Sequence, residues 1–197
     1  MKNIDFFIGK RSKDLEVIGK KLDFNILFVK EIISLDDFRN LKQESYDACL
    51  INTCEMKMLI RLIDKASRMF KMVLVLGTED NLNRAALENK KVHGLVAPEY
   101  NRKKDLLSQR TSGLNHVLCR LAKTKKKIII FRFSDIKSKI GKDQAIFFGK
   151  LQQNLTLCRK YNCKYIIANF TSKKQNLVHK RKLKEFEKTL LAKNVFN

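Results

Sequence analysis

Proline and glycine, which most often mark loops and linkers, are scarce in this chain, with one Pro and seven Gly among 197 residues. This scarcity leaves little material for a flexible linker, so we expect one domain over residues 1–197. Long apolar runs are also missing, because the longest ones, such as residues 128–131, are far shorter than the ~20 residues needed to cross a bilayer. The sequence therefore predicts a cytoplasmic protein that is neither secreted nor embedded in a membrane.

Metal-binding side chains are few as well. Only three histidines, His93, His116 and His179, accompany five cysteines, and no Cys-x-x-Cys pair occurs. Because zinc sites usually show closely spaced Cys or His pairs, we expect no metal site and no bound cofactor. Cys49 and Cys158 lie in apolar stretches, which favours reduced thiols in a protein core. The other three cysteines are Cys54, Cys119 and Cys163.

Acidic residues nearly disappear from the second half of the chain. Residues 1–100 contain 17 basic and 15 acidic side chains, a net charge of +2, whereas residues 101–197 contain 25 and 5, a net charge of +20. An AT-rich genome would explain why Lys outnumbers Arg, but it would act on both halves alike. The asymmetry therefore favours a polyanionic partner that contacts the second half.

Seven short apolar segments predict seven strands, at residues 4–8, 26–29, 48–51, 72–76, 94–97, 127–132 and 165–169. Their nearly continuous hydrophobicity is typical of parallel strands that are buried on both faces. Helical patterns lie between them. Apolar residues at steps of three and four predict helices at residues 55–70 and 142–160, and a last helix is expected at 183–191.

The spacing of the strands favours a closed α/β barrel. The first five begin every 22 to 24 residues, which fits one strand, one short helix and two tight loops. A doubly wound open sheet is the alternative, but only Gly9 follows the first strand, where its Gly-x-Gly-x-x-Gly signature would lie. We therefore predict a TIM-barrel-like fold. Since few residues remain after 191 for an eighth strand, the barrel is expected to close imperfectly or through the C-terminal tail.

A long basic loop follows the fifth predicted strand. In barrels of this kind, function gathers on the loops after the strands. Residues 98–113 include Arg102, Lys103, Lys104 and Arg110, and a helix is expected to begin near Leu114. Ser112 could cap that helix, and its free backbone N–H groups would form an anion site suited to phosphate. A solvated loop capped by Ser112 is the equally weighted alternative.

The same region resembles a known family. Pro98, Tyr100 and Asn101 to Lys103, followed by the Gly-Leu-Asn-His-Val-Leu sequence of residues 113–118 and the strand at 128–131 with Phe133 and Ser134, resemble archaeal ribonuclease P protein component 3. The similarity is strongest over residues 93–134, and the order of strands and helices agrees over nearly the whole chain.

The resemblance implies a protein subunit of ribonuclease P, which removes the 5′ leader from precursor tRNA. The catalytic RNA carries the chemistry there, with magnesium, so no catalytic residue is expected in this chain. The implied partners are ribonuclease P RNA, precursor tRNA and other protein subunits, component 2 in particular, but neither DNA nor a membrane. Lys and Arg would neutralise the crowded phosphates of the folded RNA.

The candidate RNA-binding residues come from this loop and from basic clusters elsewhere. They are Arg102, Lys103, Lys104, Arg110, Ser112, Gly113, Asn115, His116, Lys173, Lys174, Lys180 and Arg181. The loop and the cluster after the seventh strand both follow strands, so they could share one face. Lys123 and residues 125–127 precede a strand and should lie at the opposite end, either as bystanders or under RNA that wraps around. His116 could contact RNA or serve as a local hydrogen-bonding residue.

Three other functions are weaker alternatives. A metal-dependent phosphoesterase lacks ligands, because Asp5 stands in the first strand without a His-x-His. A small-molecule enzyme would have to use Glu79, Asp80 or Glu99, which are expected to be solvated, or Cys54 as a nucleophile without an assignable histidine. A generic basic RNA-binding protein remains the main alternative, although it would not require the conspicuous helix start at 113–118.

Overall fold

The computed structural model describes residues 3–100, 111–137 and 139–192, in which strands and helical segments alternate. The strands are β1 (Ile4–Ile8), β2 (Asn25–Ile32), β3 (Ala48–Ile51), β4 (Met72–Leu76), β5 (Gly94–Val96), β6 (Ile128–Arg132) and β7 (Lys164–Ala168). The helices are α1 (Lys13–Lys21), α2 (Met56–Met69), α3 (Asp80–Glu88), α4 (His116–Thr124), α5 (Phe133–Lys137), α6 (Gly141–Lys160) and α7 (Lys180–Leu191).

The seven strands form one sheet in the order in which they occur along the chain. Every neighbouring pair is parallel. In a doubly wound sheet the order of the strands reverses at one point, so that later strands lie on the other side of β1. The order observed here has no such reversal. The predicted TIM-barrel-like α/β fold is confirmed, with all seven strands within a few residues of their expected positions.

Both faces of the sheet are buried, and this explains the continuous hydrophobicity of the strands. One core lies between the strands and the helices and contains Cys49 and Ile51 of β3 together with Leu62 of α2. The other core fills the inside of the barrel and contains Ala48 and Leu50 of the same strand. The apolar stripe of α2 is likewise buried as its spacing predicted, at Leu59, Leu62, Ile63, Ala66 and the following Phe70.

The barrel is nearly closed by the segment that follows β7. The backbone N–H of Ile8 donates to the carbonyl of Thr171 at 2.9 Å, which makes a single parallel bridge between Phe7 and Thr171. Asp5 of β1 accepts a hydrogen bond from the backbone N–H of Asn169 at 2.8 Å and another from its side chain. Closure therefore depends on residues 169–171, and the C-terminal residues 193–197, considered for this role, lie outside the described residues.

Two details of the sequence-based prediction need correction. The sixth strand begins at Ile128, because the backbone N–H of Lys127 donates to the Ala122 carbonyl of α4 at 2.8 Å and the sheet pairing starts one residue later. The last helix begins earlier than expected, at Lys180. Within the described ranges, no helix is both long and apolar enough to span a bilayer.

Candidate nucleic-acid interface

The predicted basic loop lies mostly outside the described residues. Arg102, Lys103, Lys104 and Arg110 fall within 101–110, which the structure does not describe, so their role in RNA binding stays a prediction. The two ends of this segment are placed at the carboxyl-terminal end of the barrel. One end is the turn Pro98–Tyr100 directly after β5, and the other is residues 111–115 before α4.

The predicted anchor residues after the loop are buried. Ser112 is 1% exposed, and its carbonyl accepts a hydrogen bond from the Asn154 side chain at 2.8 Å. The Gly113 carbonyl accepts one from the Asn83 side chain at 3.3 Å, and Gly113 has a φ of 82°, in the left-handed region that favours glycine. Both residues thus hold the end of the loop against α3 and α6.

The cap of α4 is Asn115 and not Ser112. The Asn115 side chain accepts a hydrogen bond from the backbone N–H of Leu118 at 2.9 Å, and its own backbone is extended. Ser112 lies three residues earlier, and its hydroxyl donates weakly to the Leu114 carbonyl at 3.4 Å. The capping prediction for Ser112 was wrong because Ser and Asn are comparable caps, and the sequence does not show where the first turn begins.

An exposed group of basic and aromatic side chains lies where α4 crosses α6. The His116 ring centroid is 6.4 Å from that of Tyr161. The Arg120 guanidinium lies 5.5 Å from the Tyr161 ring centroid, and the Lys160 ammonium lies 5.9 Å from it. His116, Arg120 and Lys160 are exposed and Tyr161 is partly exposed. We call these four residues the α4–α6 patch.

The α4–α6 patch contains one predicted site residue and three that were missed. His116 was identified from the helix start, but Arg120, Lys160 and Tyr161 were not linked to it because two helices contribute them, some 40 residues apart. The available signal was an aromatic residue directly after Lys160, since a cation over an aromatic ring gains electrostatic attraction. Neither cation has an acidic partner within 4.0 Å in the described part of the chain.

The basic residues after β7 do not all lie at the same end of the barrel. Lys173 and Lys174 are exposed in the segment that follows β7 at the carboxyl-terminal end. Lys180 lies instead at the amino-terminal end, where its ammonium contacts Asn3 and, at 3.0 Å, Asp23. The expected common face was wrong for Lys180, because residues 171–179 run back across the gap between β7 and β1 before α7 begins. Arg181, next to it, pairs with Glu185 at 2.9 Å.

The cluster before β6 lies at the amino-terminal end, as predicted. Lys123, Lys125 and Lys126 are exposed there. Lys127 is 5% exposed and satisfies carbonyl groups in the turn before β5, so it contributes to stability and not to an outer surface.

One acidic residue is buried where a solvated side chain was expected. Glu99 is 3% exposed at the carboxyl-terminal end of the barrel, and neither carboxylate oxygen has a hydrogen-bond partner among the residues that the structure describes. Burial, together with the nearby Asp135 carboxylate, raises the pKa of Glu99 to about 8, although Arg132 opposes this. Arg132 lies 3.1 Å from Asp135, and burial raises the pKa of Asp135 as well. The prediction of solvation was wrong because the turn at Pro98–Tyr100 directs Glu99 inward.

Comparisons with known proteins find relatives of this chain by sequence and by structure. No family model matches the chain. Ribonuclease P protein component 3 of Methanocaldococcus jannaschii is 29% identical over 150 residues, which are 76% of this chain and 62% of that protein. Ribonuclease P protein component 3 of Methanococcus vannielii is 29% identical over 109 residues, which are 55% of this chain and 44% of that protein. The chain therefore matches about half of the length of these curated relatives.

A solved structure matches over a larger part of the chain. It is a chain of the cryo-EM structure of archaeal ribonuclease P with mature tRNA, with a TM-score of 0.74 and 27% sequence identity. The superposition covers 96% of this chain and 83% of that one.

Proposed function

Because this chain is a relative of archaeal ribonuclease P protein component 3, as its sequence predicted, we propose that it is a protein subunit of ribonuclease P. In this role it binds and stabilises the catalytic RNA that removes the 5′ leader from precursor tRNA. The observation that carries the proposal is the structural match over 96% of the chain to a component of archaeal ribonuclease P bound to mature tRNA.

The charge distribution supports a role in RNA binding. Residues 101–197 have a net charge of +20, and much of it has no acidic counterpart. Cations that meet phosphates release condensed counterions, which gives affinity without sequence recognition. We assign contacts with RNA to the α4–α6 patch, to Lys173 and Lys174, and to the basic residues Arg102, Lys103, Lys104 and Arg110.

The chemistry is assigned to the RNA and its magnesium ions. The buried carboxyl groups of Glu99 and Asp135 are poorly suited to hold a hydrated magnesium ion, because burial raises the pKa of both and favours their neutral forms. We propose that the chain works in the cytoplasm together with other ribonuclease P proteins, component 2 among them.

A binding comparison separates this function from that of a generic basic RNA-binding protein. The full chain is titrated into labelled ribonuclease P RNA and into a structured RNA of equal length and unrelated fold, at matched salt concentration. A subunit should bind its own RNA more tightly, by at least about tenfold or 1.4 kcal/mol. Equal affinity for both RNAs would favour the generic alternative.

A further inference from the structure

Three cysteine side chains, distant in sequence, meet in the core between α4, α6 and β7. Cys119 lies in α4, Cys158 lies in the last turn of α6, and Cys163 directly precedes β7. Their sulfur atoms all lie within 4.8 Å of one another. The exposed fractions are 0% for Cys119 and Cys158 and 5% for Cys163.

The turn after α6 holds two of these cysteines next to each other. Asn162 has a φ of 52°, in the left-handed region, and the backbone N–H of Cys163 donates to the Cys158 carbonyl at 3.0 Å. This turn returns the chain to the end of α6 within five residues. Cys119 reaches the same point from α4, which packs across α6.

The spacing of the three sulfurs is close to that of a thiolate metal site. Zinc–sulfur bonds of about 2.3 Å in tetrahedral geometry place ligand sulfurs roughly 3.8 Å apart. Sulfur atoms that lie within 4.8 Å of each other therefore need to approach by at most about 1 Å, which small side-chain rotations can supply. The expectation of no metal site considered only ligands close in sequence, and it could not include Cys119.

Access and charge also suit a metal ion. A surface cavity of about 480 Å³ opens beside Cys158 and Cys163, and Arg159 and Lys164 line it. One divalent ion with three thiolates has a net charge of −1, which these two cations can offset. The cavity provides an entry path and leaves room for a fourth, external ligand such as water.

We propose that Cys119, Cys158 and Cys163 bind one thiophilic divalent metal ion, with zinc as the expected occupant. On binding, each thiol releases its proton to solvent, and the three sulfurs become thiolate ligands. The ion connects α4 and α6 to the start of β7, so it stabilises this side of the barrel. The ion takes no part in the RNA binding or in the cleavage of precursor tRNA proposed above.

The test uses the full chain, stripped of metal by a chelator under reducing conditions and titrated with Cd²⁺ and Co²⁺. We expect one equivalent of either ion to bind, with a sulfur-to-metal charge-transfer band in the near ultraviolet and, for Co²⁺, the visible bands of a tetrahedral site. Bound ion should also raise the melting temperature of the chain. If the reduced wild-type chain produces no such band with either ion, the proposal is overturned, and Cys119, Cys158 and Cys163 are then core thiols only.

Matched variants locate the site. Cys163→Ser should weaken Cd²⁺ binding by at least about tenfold, since loss of even an outer-shell partner costs about 10- to 100-fold in metal affinity. Cys49→Ser is the control, because Cys49 is 0% exposed and is not one of the three proposed ligands. The substitution therefore changes an equally buried cysteine without changing the site. Cys49→Ser should bind Cd²⁺ with the wild-type affinity, and an undiminished Cd²⁺ affinity in Cys163→Ser would overturn the assignment.

Discussion

Removing the two permanent cations of the α4–α6 patch should flatten the salt dependence of RNA binding. The double variant Arg120→Ala with Lys160→Ala removes two exposed positive charges that stand 5.5 Å and 5.9 Å from the Tyr161 ring centroid. If each one neutralises a phosphate, the slope of log affinity against log salt falls in magnitude by up to ~1.8, at about 0.9 per contact for a duplex.

This change in slope predicts a difference that a titration can resolve. Over a fourfold rise in salt, from about 50 to about 200 mM, the loss of two contacts changes the ratio of wild-type affinity to variant affinity by about 12-fold. The variant should therefore bind ribonuclease P RNA much more weakly than the wild type at low salt and only slightly more weakly at high salt. Fluorescence anisotropy at four or five salt concentrations measures both slopes.

The control removes the same charge from another surface. Arg84 and Lys91 each lie 2.8 Å from an acidic partner, Glu88 and Asp64. The double variant Arg84→Ala with Lys91→Ala should leave the slope within about 0.5 of the wild-type slope, because cations that already pair with carboxylates are not expected to contact RNA phosphates. An unchanged slope in the Arg120 and Lys160 variant, or an equal change in the control, would refute the assignment of RNA contacts to this patch.

Three further predictions concern the loop, the buried acid and barrel closure. Alanine at the four basic loop positions should flatten the same slope by up to about 0.9 per lost phosphate contact, and an unchanged slope would exclude the loop; these positions are Arg102, Lys103, Lys104 and Arg110. Because the pKa of Glu99 rises from 4.5 to about 8 on folding, the folded chain holds a proton that the unfolded chain releases. The free energy of unfolding should thus fall by up to about 1.4 kcal/mol per pH unit across that window, and urea titrations of Glu99→Gln should lack this contribution. Asp5→Ala should lower the free energy of unfolding by roughly 2–4 kcal/mol, because Asn169 loses two buried hydrogen bonds, whereas Glu44→Ala at an exposed position should change it by no more than about 0.5 kcal/mol.

Local patterns were sufficient to predict the strands and the barrel. Residues 128–131 are apolar on both faces, because Ile128 and Ile130 pack inside the barrel while Ile129 and Phe131 pack outside it. The stripe of α2 shows the helical period directly. Barrel closure was only partly predictable, because the bridge from β1 to Thr171 uses a segment that has no strand pattern of its own.

The site was less predictable because it depends on contacts between distant segments. Tyr161 joins His116 only where α4 crosses α6, and Lys180 reaches Asp23 only because the chain returns across the barrel. The burial of Glu99 was missed for a local reason, since a charged residue after a strand normally predicts a solvated loop, whereas the turn at Pro98–Tyr100 directs this one inward. Composition could indicate that the second half binds a polyanion, but not which cations remain unpaired.

Reconstitution tests the central claim most directly. Catalytic ribonuclease P RNA and the other protein subunits are assayed for cleavage of precursor tRNA at low magnesium, with and without this chain, and the chain is also assayed alone. The account predicts that the chain stimulates cleavage of the 5′ leader by the RNA and cleaves nothing by itself. Cleavage that is equally fast without the chain would contradict the proposed role as a subunit.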